Sequence, residues 1–255
     1  MNVHRFPAAG ALILAIAAAG CTTGMNLNSE TPAAQDAQQS EAALPDDDAR
    51  SANPLLAEWS GPYGGVPPFD QVEVAHFEPA FEAAMAEHLA EIERITTNPE
   101  PPTFENTIEA FERAGRTLSR VASVYNVWGT TMNSPEFQTV QRELAPRLAA
   151  HNDRVTQNEA LFRRIEAVYE AMGDVSQAAG EAPEDARGPN AAQVAATGDA
   201  LTAEQQRLTW RYYTDFVRAG AKLDAAAKAR LSEINQRLAG LFTRFSQNVL
   251  ADETN

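Results

Sequence analysis

From Asn53 onward the apolar residues recur at spacings of three and four, the mark of helices that bury one face. Phe77, Phe81, Met85, Leu89, Ile92 and Ile95 predict a first helix from about His76 to Thr97, with Glu82, Glu87, Glu91 and Glu93 mostly elsewhere around it. Asn98-Pro99-Glu100-Pro101-Pro102 stops it, because proline lacks the backbone donor and clashes with the preceding turn. Thr103 is placed to cap a second helix carrying Phe104, Ile108, Phe111, Leu118, Val121, Val124, Tyr125 and Trp128. Ser134-Pro135-Glu136 reads as a cap, a first-turn proline and a first-turn acid, opening a third helix with Phe137, Val140, Leu144, Leu148 and His151. Within it, Pro146 predicts a kink or a split. A further helix from about Glu159 to Met172 carries Leu161, Phe162, Ile165, Val168 and Tyr169. Thr202-Ala203-Glu204-Gln205 forms a capping box before Leu208, Trp210, Tyr212, Tyr213, Phe216 and Val217, and that helix ends at Gly220. Asp224 caps the last helix, whose Leu231, Ile234, Leu238, Leu241, Phe245 and Val249 are spaced 3-4-3-4-4. No run alternates with period two, so the fold class is all-α.

The segments between and before these helices read differently. Residues 53–69 hold Pro54, Gly61, Pro62, Gly64, Gly65, Pro67 and Pro68, which excludes a helix and predicts an extended arm. Trp59, Tyr63 and Phe69 would place that arm across the helical body. Residues 173–201 mix Gly180, Pro183, Gly188, Pro189 and Gly198 with Ala, Gln and acids, too long a stretch for an ordinary connection, and predict a flexible insertion. Residues 22–52 have no aromatic and little apolar surface to offset ordering entropy, so they predict a disordered spacer whose ends lie roughly 30 Å apart.

The first 20 residues read as a signal peptide. The run from Ala8 to Gly20 is 13 residues long, short of the roughly 18–20 apolar residues that cross a bilayer. It fits the apolar core of a secretory signal instead. Ala18-Ala19-Gly20-Cys21 resembles a bacterial lipobox, in which the Cys is lipidated and becomes the mature N-terminus. Ala18 stands where that motif usually has Leu, and ordinary signal cleavage with Cys21 as a spectator thiol is the alternative. Thr22 after the Cys goes with sorting to the outer membrane, so the expectation is an exported protein on the periplasmic side of the envelope.

Charge and residue inventory then narrow the chemistry. A net charge of −15 disfavours nucleic acid, whose phosphates need clustered Lys and Arg. It equally disfavours electrostatic adhesion to an anionic membrane, so contact with the membrane is expected through the lipid only. One Cys excludes an internal disulfide or a Cys-rich zinc module. The four His are His4, His76, His88 and His151, and no two are four apart, so HExxH is absent from residues 1–255. Glu73-Val74-Ala75-His76 is an E-x-x-H, but di-iron bundles need two such motifs and two further carboxylates. His88 and His151 lie on or beside apolar stripes and read as partly buried or surface residues rather than ligands. There is no G-x-S-x-G and no phosphate-binding Gly-rich loop. The Trp210, Tyr212, Tyr213 and Phe216 cluster, like Phe111 and Trp128, fits either core or a peptide groove, with core the commoner outcome at helical spacing.

Four segments carry a family resemblance: PPFDQVEVAHFEPAFEAAM (67–85), AEIERITTNPEPPTFENTIEAFERAG (90–115), ELAPRLAAHNDRVTQNEALFRRIEAVY (143–169) and RYYTDFVRAGAKLDAAAKARLSEINQRLAGLFTRFSQNVLADETN (211–255). Together they resemble the N-terminal portion of bacterial peptidyl-dipeptidases, within the zinc metallopeptidase family of thimet oligopeptidase, neurolysin and oligopeptidase A. The resemblance covers about 53–255 apart from the insertion. It implies an antiparallel helical array, part of a larger helical ellipsoid split by a deep substrate channel. It implies zinc and oligopeptide substrates for the family. The zinc ligands and the Tyr and His residues that act on substrate come from the family's C-terminal part. The sequence stops at Asn255 before them, so no catalytic or metal residue carries over.

Two readings follow from that. In one the chain is the channel wall and lid of an exported, lipid-anchored peptidyl-dipeptidase, inactive without its C-terminal catalytic region. In the other it is a truncated, non-catalytic helical peptide-binding or scaffold lipoprotein. Whether the chain is an enzyme stays open at this level. As one wall of a larger body it is expected to expose apolar helix faces.

Overall fold

The computed structural model describes residues 53–61, 65–172 and 201–253. The signal peptide at 1–20, Cys21 with the spacer to 52, Tyr63, and the insertion at 173–201 apart from Leu201 lie outside the described residues.

A 3-10 turn at Val74–His76 leads into α1, Phe77–Thr96. A π-helical turn, Phe104–Glu109, runs into the short α2, Ala110–Arg113. Then come α3, Arg116–Thr131, α4, Pro135–Thr156, and α5, Glu159–Ala171. The last two are α6, Ala203–Arg218, and α7, Ala225–Glu253. Among the described residues the chain is all-α, and the one bridge is Ser60 with Val66. None of the described helices is long and apolar enough to cross a membrane.

The caps explain where these helices start. Ser134 and Asn158 each accept a hydrogen bond from the backbone N–H three residues on, at 3.2 and 2.9 Å. Thr202 and Gln205 close their box reciprocally, and Asp224 accepts from the Ala227 N–H at 2.8 Å. Each removes one of the donors that a helix N-terminus leaves unpaired. The end of α6 is a Schellman turn. The Ala221 N–H reaches the Phe216 carbonyl at 3.0 Å and the Gly220 N–H reaches Val217 at 3.1 Å, with Gly220 at φ +94°.

Two cores result. The first gathers Leu55, Phe77, Phe81, Val121, Val124, Trp128, Phe137 and Leu144. Its centre is Phe77, which meets Tyr125, Trp128 and Phe137 edge-on at 5.8, 5.4 and 5.2 Å between centroids. The second gathers Ile92, Ile95, Phe104, Ile108, Val155, Leu161, Phe162, Ile165 and Phe216. The N-terminal half of α1 serves the first core and its C-terminal end serves the second; α4 divides in the same way.

Four expectations need correction. The helix expected to run unbroken from Thr103 past Trp128 is interrupted at Gly115, which sits at φ +72° and gives its N–H to the Glu91 carboxylate at 2.7 Å. An N–H bonded to α1 is not available to continue the helical ladder. Of the kink or split expected at Pro146, the split is excluded, since α4 continues to Thr156. The arm does lie on the helical body, through buried Leu55 and half-buried Trp59, but Phe69 is 42% exposed and anchors nothing. Leu201, placed within the insertion, packs against the second core.

The turn at Gly220 supplies a test. A Cβ there would stand 2.9 Å from side-chain atoms of both Leu223 and Leu231 and would have to adopt a left-handed conformation. Gly220→Ala is expected to lower unfolding stability by about 1–2 kcal/mol. Gly240, inside α7, is the control, since a Cβ added there would meet nothing within 4 Å. Gly240→Ala should leave stability unchanged or raise it by up to about 1 kcal/mol. Urea titrations of the two variants check both signs.

Candidate functional site

The E-x-x-H at Glu73–His76 is a helix-start device. The Glu73 backbone N–H donates to His76 Nδ1 at 3.0 Å, and the Glu73 side chain receives the His76 backbone N–H in return. Its spacing serves a capping box, and the imidazole is occupied there. Cys21 lies outside the described residues.

His88 and His151, read from sequence as separate residues, are brought together. His88 Nδ1 lies 2.9 Å from His151 Nε2, with ring centroids 5.1 Å apart. Burial pushes the His88 imidazole below its ordinary pKa against a smaller opposing effect of Glu91. Burial, then His88 and Arg154, push His151 down to about 4. Beside them Glu87 accepts from the Thr117 hydroxyl at 3.0 Å and Glu91 holds Gly115. The sequence signal was there, since each His falls at an apolar position of its helix, between Met85 and Ile92 and between Leu148 and Val155.

The NPEPPTFENT stretch forms a polar clamp with Arg164, whose buried Nε alone lacks a hydrogen-bond partner. Asn106 Oδ1 accepts from the Thr103 N–H at 2.8 Å, the Thr107 hydroxyl at 2.9 Å and Arg164 Nη2 at 2.9 Å. Its Nδ2 donates to the Pro101 carbonyl at 2.9 Å. Arg164, 8% exposed, also donates from Nη1 to the carbonyls of Asn98 and Glu100 at 3.1 and 3.2 Å. The guanidinium fork thus fixes the proline-rich turn against α5. Sequence reasoning missed Arg164. The available signal was a charged residue on the same face as Leu161, Ile165 and Val168.

The aromatic cluster on α6 packs against the second core, with Phe216 buried in it and Tyr212 and Tyr213 half-buried beside it. Phe111 meets Tyr212 and Phe216 edge-on at 5.0 and 5.5 Å, and Phe162 stacks on Tyr213 at 5.8 Å. Tyr212 is further tied by its hydroxyl, which donates to Glu112. Trp210 is half-buried. Phe111, Tyr212, Tyr213 and Phe216 have ring partners, which favours core over a peptide groove for them.

A different surface is unpartnered in its apolar character. α7 lies along α4, where Gln247 receives Arg142 Nη1 at 2.7 Å and donates to the Gln138 carbonyl at 2.9 Å. Asn235 donates to buried Asp153 at 2.8 Å. The attachment is therefore polar at both ends, and none of the residues of α7 is buried. Its Ile234, Leu241, Phe242, Phe245 and Val249 are all at least 40% exposed, Phe245 by 66%. A pocket of about 390 Å³ opens on this helix among Arg230, Glu233, Ile234, Arg237, Leu238 and Leu241.

Among the described residues no three His, Cys, Asp or Glu side chains gather where they could hold one metal ion. In the His88–His151 pair the facing nitrogens are spent on each other.

The sequence itself has known relatives. Dipeptidyl carboxypeptidase of Salmonella typhimurium is 32% identical over 201 residues, which is 79% of this chain and 26% of that protein. The Escherichia coli protein of the same name is 33% identical over 199 residues, 78% of this chain and 26% of its own length. Oligopeptidase A of Salmonella typhimurium is 28% identical over 198 residues, 78% of this chain and 25% of that protein. The chain belongs to their family. It spans about a quarter of the length of the curated relatives it matches. No family model matches it.

Membership of the dipeptidyl carboxypeptidase and oligopeptidase A family gives the clamp a context. The four segments that carried the resemblance correspond to the end of the arm with most of α1's first half, the end of α1 with the clamp as far as Gly115, the α4–α5 corner, and the second half of α6 with α7. Those are architectural parts of the described body. Arg164→Met would leave the Asn98 and Glu100 carbonyls and Asn106 without their cationic donor. It is expected to cost about 2–3 kcal/mol in a urea titration. Asn106→Ala should cost about 1–3 kcal/mol, and the double variant less than the sum, because both remove the same bond. Single variants indistinguishable from wild type would show that the clamp carries no stability.

Proposed function

We propose that residues 53–255 form one wall of the substrate channel in a zinc peptidyl-dipeptidase, a peptidase that releases dipeptides from the C-termini of oligopeptides. The observation that carries this reading is the outward apolar face of α7. A helix of 29 residues with Leu241, Phe242 and Phe245 at about half exposure or more is not finished by its contact with α4. An apolar stripe of that length marks a surface made to be covered or to line a binding groove. Relatives four times as long as the matched stretch supply polypeptide of the right extent to cover it.

Zinc belongs, in this reading, to polypeptide outside residues 1–255. When bound in HExxH it supplies a Lewis acid and an activated water. The described residues do not fit that ion, so no step of hydrolysis is assigned to them. Their work is to present an apolar wall edged by Arg230, Arg237 and Arg244, which repeat every seven residues along α7. Such a wall suits extended, unstructured peptides. The reading also includes export and attachment to the outer membrane through a lipid on Cys21, supported by the small residues that precede it and the apolar run before them.

The 255-residue chain alone is expected to hold no stoichiometric zinc and to hydrolyse no oligopeptide. Metal analysis and a dipeptide-release assay check this, and one tightly held zinc per chain with chelator-sensitive turnover would overturn it. Co-expressed in trans, the catalytic three-quarters of a relative should co-purify with the chain. Leu241→Glu together with Phe245→Glu should abolish that association, and undiminished co-purification would remove α7 as the docking face. Cys21→Ser should move the protein from the membrane fraction to the soluble periplasm. Retention of the variant in membranes would refute the lipid anchor.

A further inference from the structure

The paired imidazoles of His88 and His151 have no part in a channel wall, yet they occupy the point where α1 and α4 pass from one core to the other. Met85 and Leu148 pack against the first core, whereas Ile92 and Val155, on the far side of the pair, belong to the second. The rings meet at a 50° tilt with facing nitrogens 2.9 Å apart. The His88 ring also lies against Gly115, where a Cβ would come within 3.3 Å of three of its atoms, so it has no room to swing toward α3.

That geometry limits the number of protons the pair can hold. A neutral pair has one N–H and one lone pair facing each other, which makes the hydrogen bond. One added proton keeps the bond, as imidazolium to imidazole, but places a cation where burial disfavours it and so already weakens the closed pair. A second puts hydrogens on both facing nitrogens, and attraction becomes repulsion between two partly buried cations.

The neighbouring charges offer little relief. Glu91 on α1 favours a protonated His88, but its carboxylate is engaged by the Gly115 N–H. Glu87 on α1 receives the Thr117 hydroxyl of α3. On α4, Arg154 opposes a charge on His151, Asp153 accepts from Asn235 of α7 on Oδ1 while its buried Oδ2 has no hydrogen-bond partner, and Arg147 is held by Glu78 and Glu82 of α1.

We propose that His88 and His151 form an acid-sensitive latch, which clasps α1 to α4 while neutral and loosens the junction of the two cores when protons are taken up. The sign follows from burial. The closed pair holds its imidazoles below the ordinary value of 6.5, His151 down to about 4. Between those limits the opened pair binds more protons than the closed one. The clasp is therefore complete above the ordinary value and weakens as pH falls toward 4.

Hydrogen exchange on the full chain, from pH 7 to pH 4 and corrected for intrinsic exchange rates, reads this directly. Peptides covering 85–92 and 148–155 should lose protection about tenfold per pH unit for one proton taken up, and up to about a hundredfold for two. Peptides covering 121–128 should follow weakly. Gln at either position can still hydrogen-bond but does not titrate, so His88→Gln and His151→Gln should each flatten the slope. A wild-type slope near zero, or slopes unchanged in both variants, overturns the latch. Because a variant could fail to fold, the wild-type chain labelled with 13C in its imidazoles provides a second measurement. Its two paired resonances should shift together, below the ordinary value of 6.5, and independent titration of either one near that value also overturns the proposal.

Discussion

A single helix face has to serve two cores, and the rest of the body is arranged around that constraint. α1 buries Phe77, Ala80, Phe81 and Ala84 in one core and Ile92 and Ile95 in the other. Between them the same face must cross a turn where no apolar layer closes over it. The chain fills that turn with polar side chains, and each is given a partner from a neighbouring helix: Glu87 from α3, Glu91 from the Gly115 backbone, His88 from α4. An unpaired polar group there would cost on the order of 1–3 kcal/mol. The break at Gly115 follows from the same need, because a continuous helix would keep the N–H that Glu91 requires.

The sequence made most of this fold legible, since helix period, caps and breakers are local properties. Thr103, Ser134, Thr202 and Asp224 each sit where a side-chain oxygen meets a backbone N–H a turn ahead, and such geometry depends on nearby residues alone. What local reasoning could not supply is partnership across the chain. His88 and His151 are 63 residues apart and Arg164 is 58 from Asn106, so pairing them requires knowing which helices lie side by side. Gly115 was visible as a glycine, but the carboxylate that takes its N–H lies on another helix. Phe69 failed in the opposite direction. Its aromatic character suggested an anchor, while in the fold the arm is held by Leu55 and by Asn53, whose Nδ2 donates to the His76 carbonyl at 2.9 Å.

α7 shows how apolar spacing and burial come apart. Its apolar residues keep a helical interval, as do those of α1, yet α1 buries its stripe and α7 leaves its own open. Periodicity states that a helix has an apolar face; it does not state that the face is covered by residues of the same stretch. The bonds from Gln247, Asn235 and Lys228 to α4 and to Glu159 of α5 hold α7 in place through polar groups. That frees its apolar residues to point elsewhere. A helix attached this way has its orientation fixed without help from its apolar face.

The clamp at Asn106 explains how a stretch of scaffold can be so distinctive in sequence. The site needs an oxygen that takes three donors and, on the same short side chain, an N–H that reaches the Pro101 carbonyl. Aspartate offers the oxygen but no donor, leucine offers neither, and glutamine adds a methylene that would displace both. Arg164 is bound by the same logic. Lysine has three donors on one tetrahedral nitrogen and cannot serve Asn106 on one side and two carbonyls on the other from the ends of a planar fork. Proline at 99, 101 and 102 then sets the turn whose carbonyls face the guanidinium, since it contributes acceptors and no competing N–H. The residues that make this chain recognisable are thus constrained by hydrogen-bond arithmetic in the scaffold, and a stretch of peptidase sequence can be identified from its architecture before any of its chemistry comes into view.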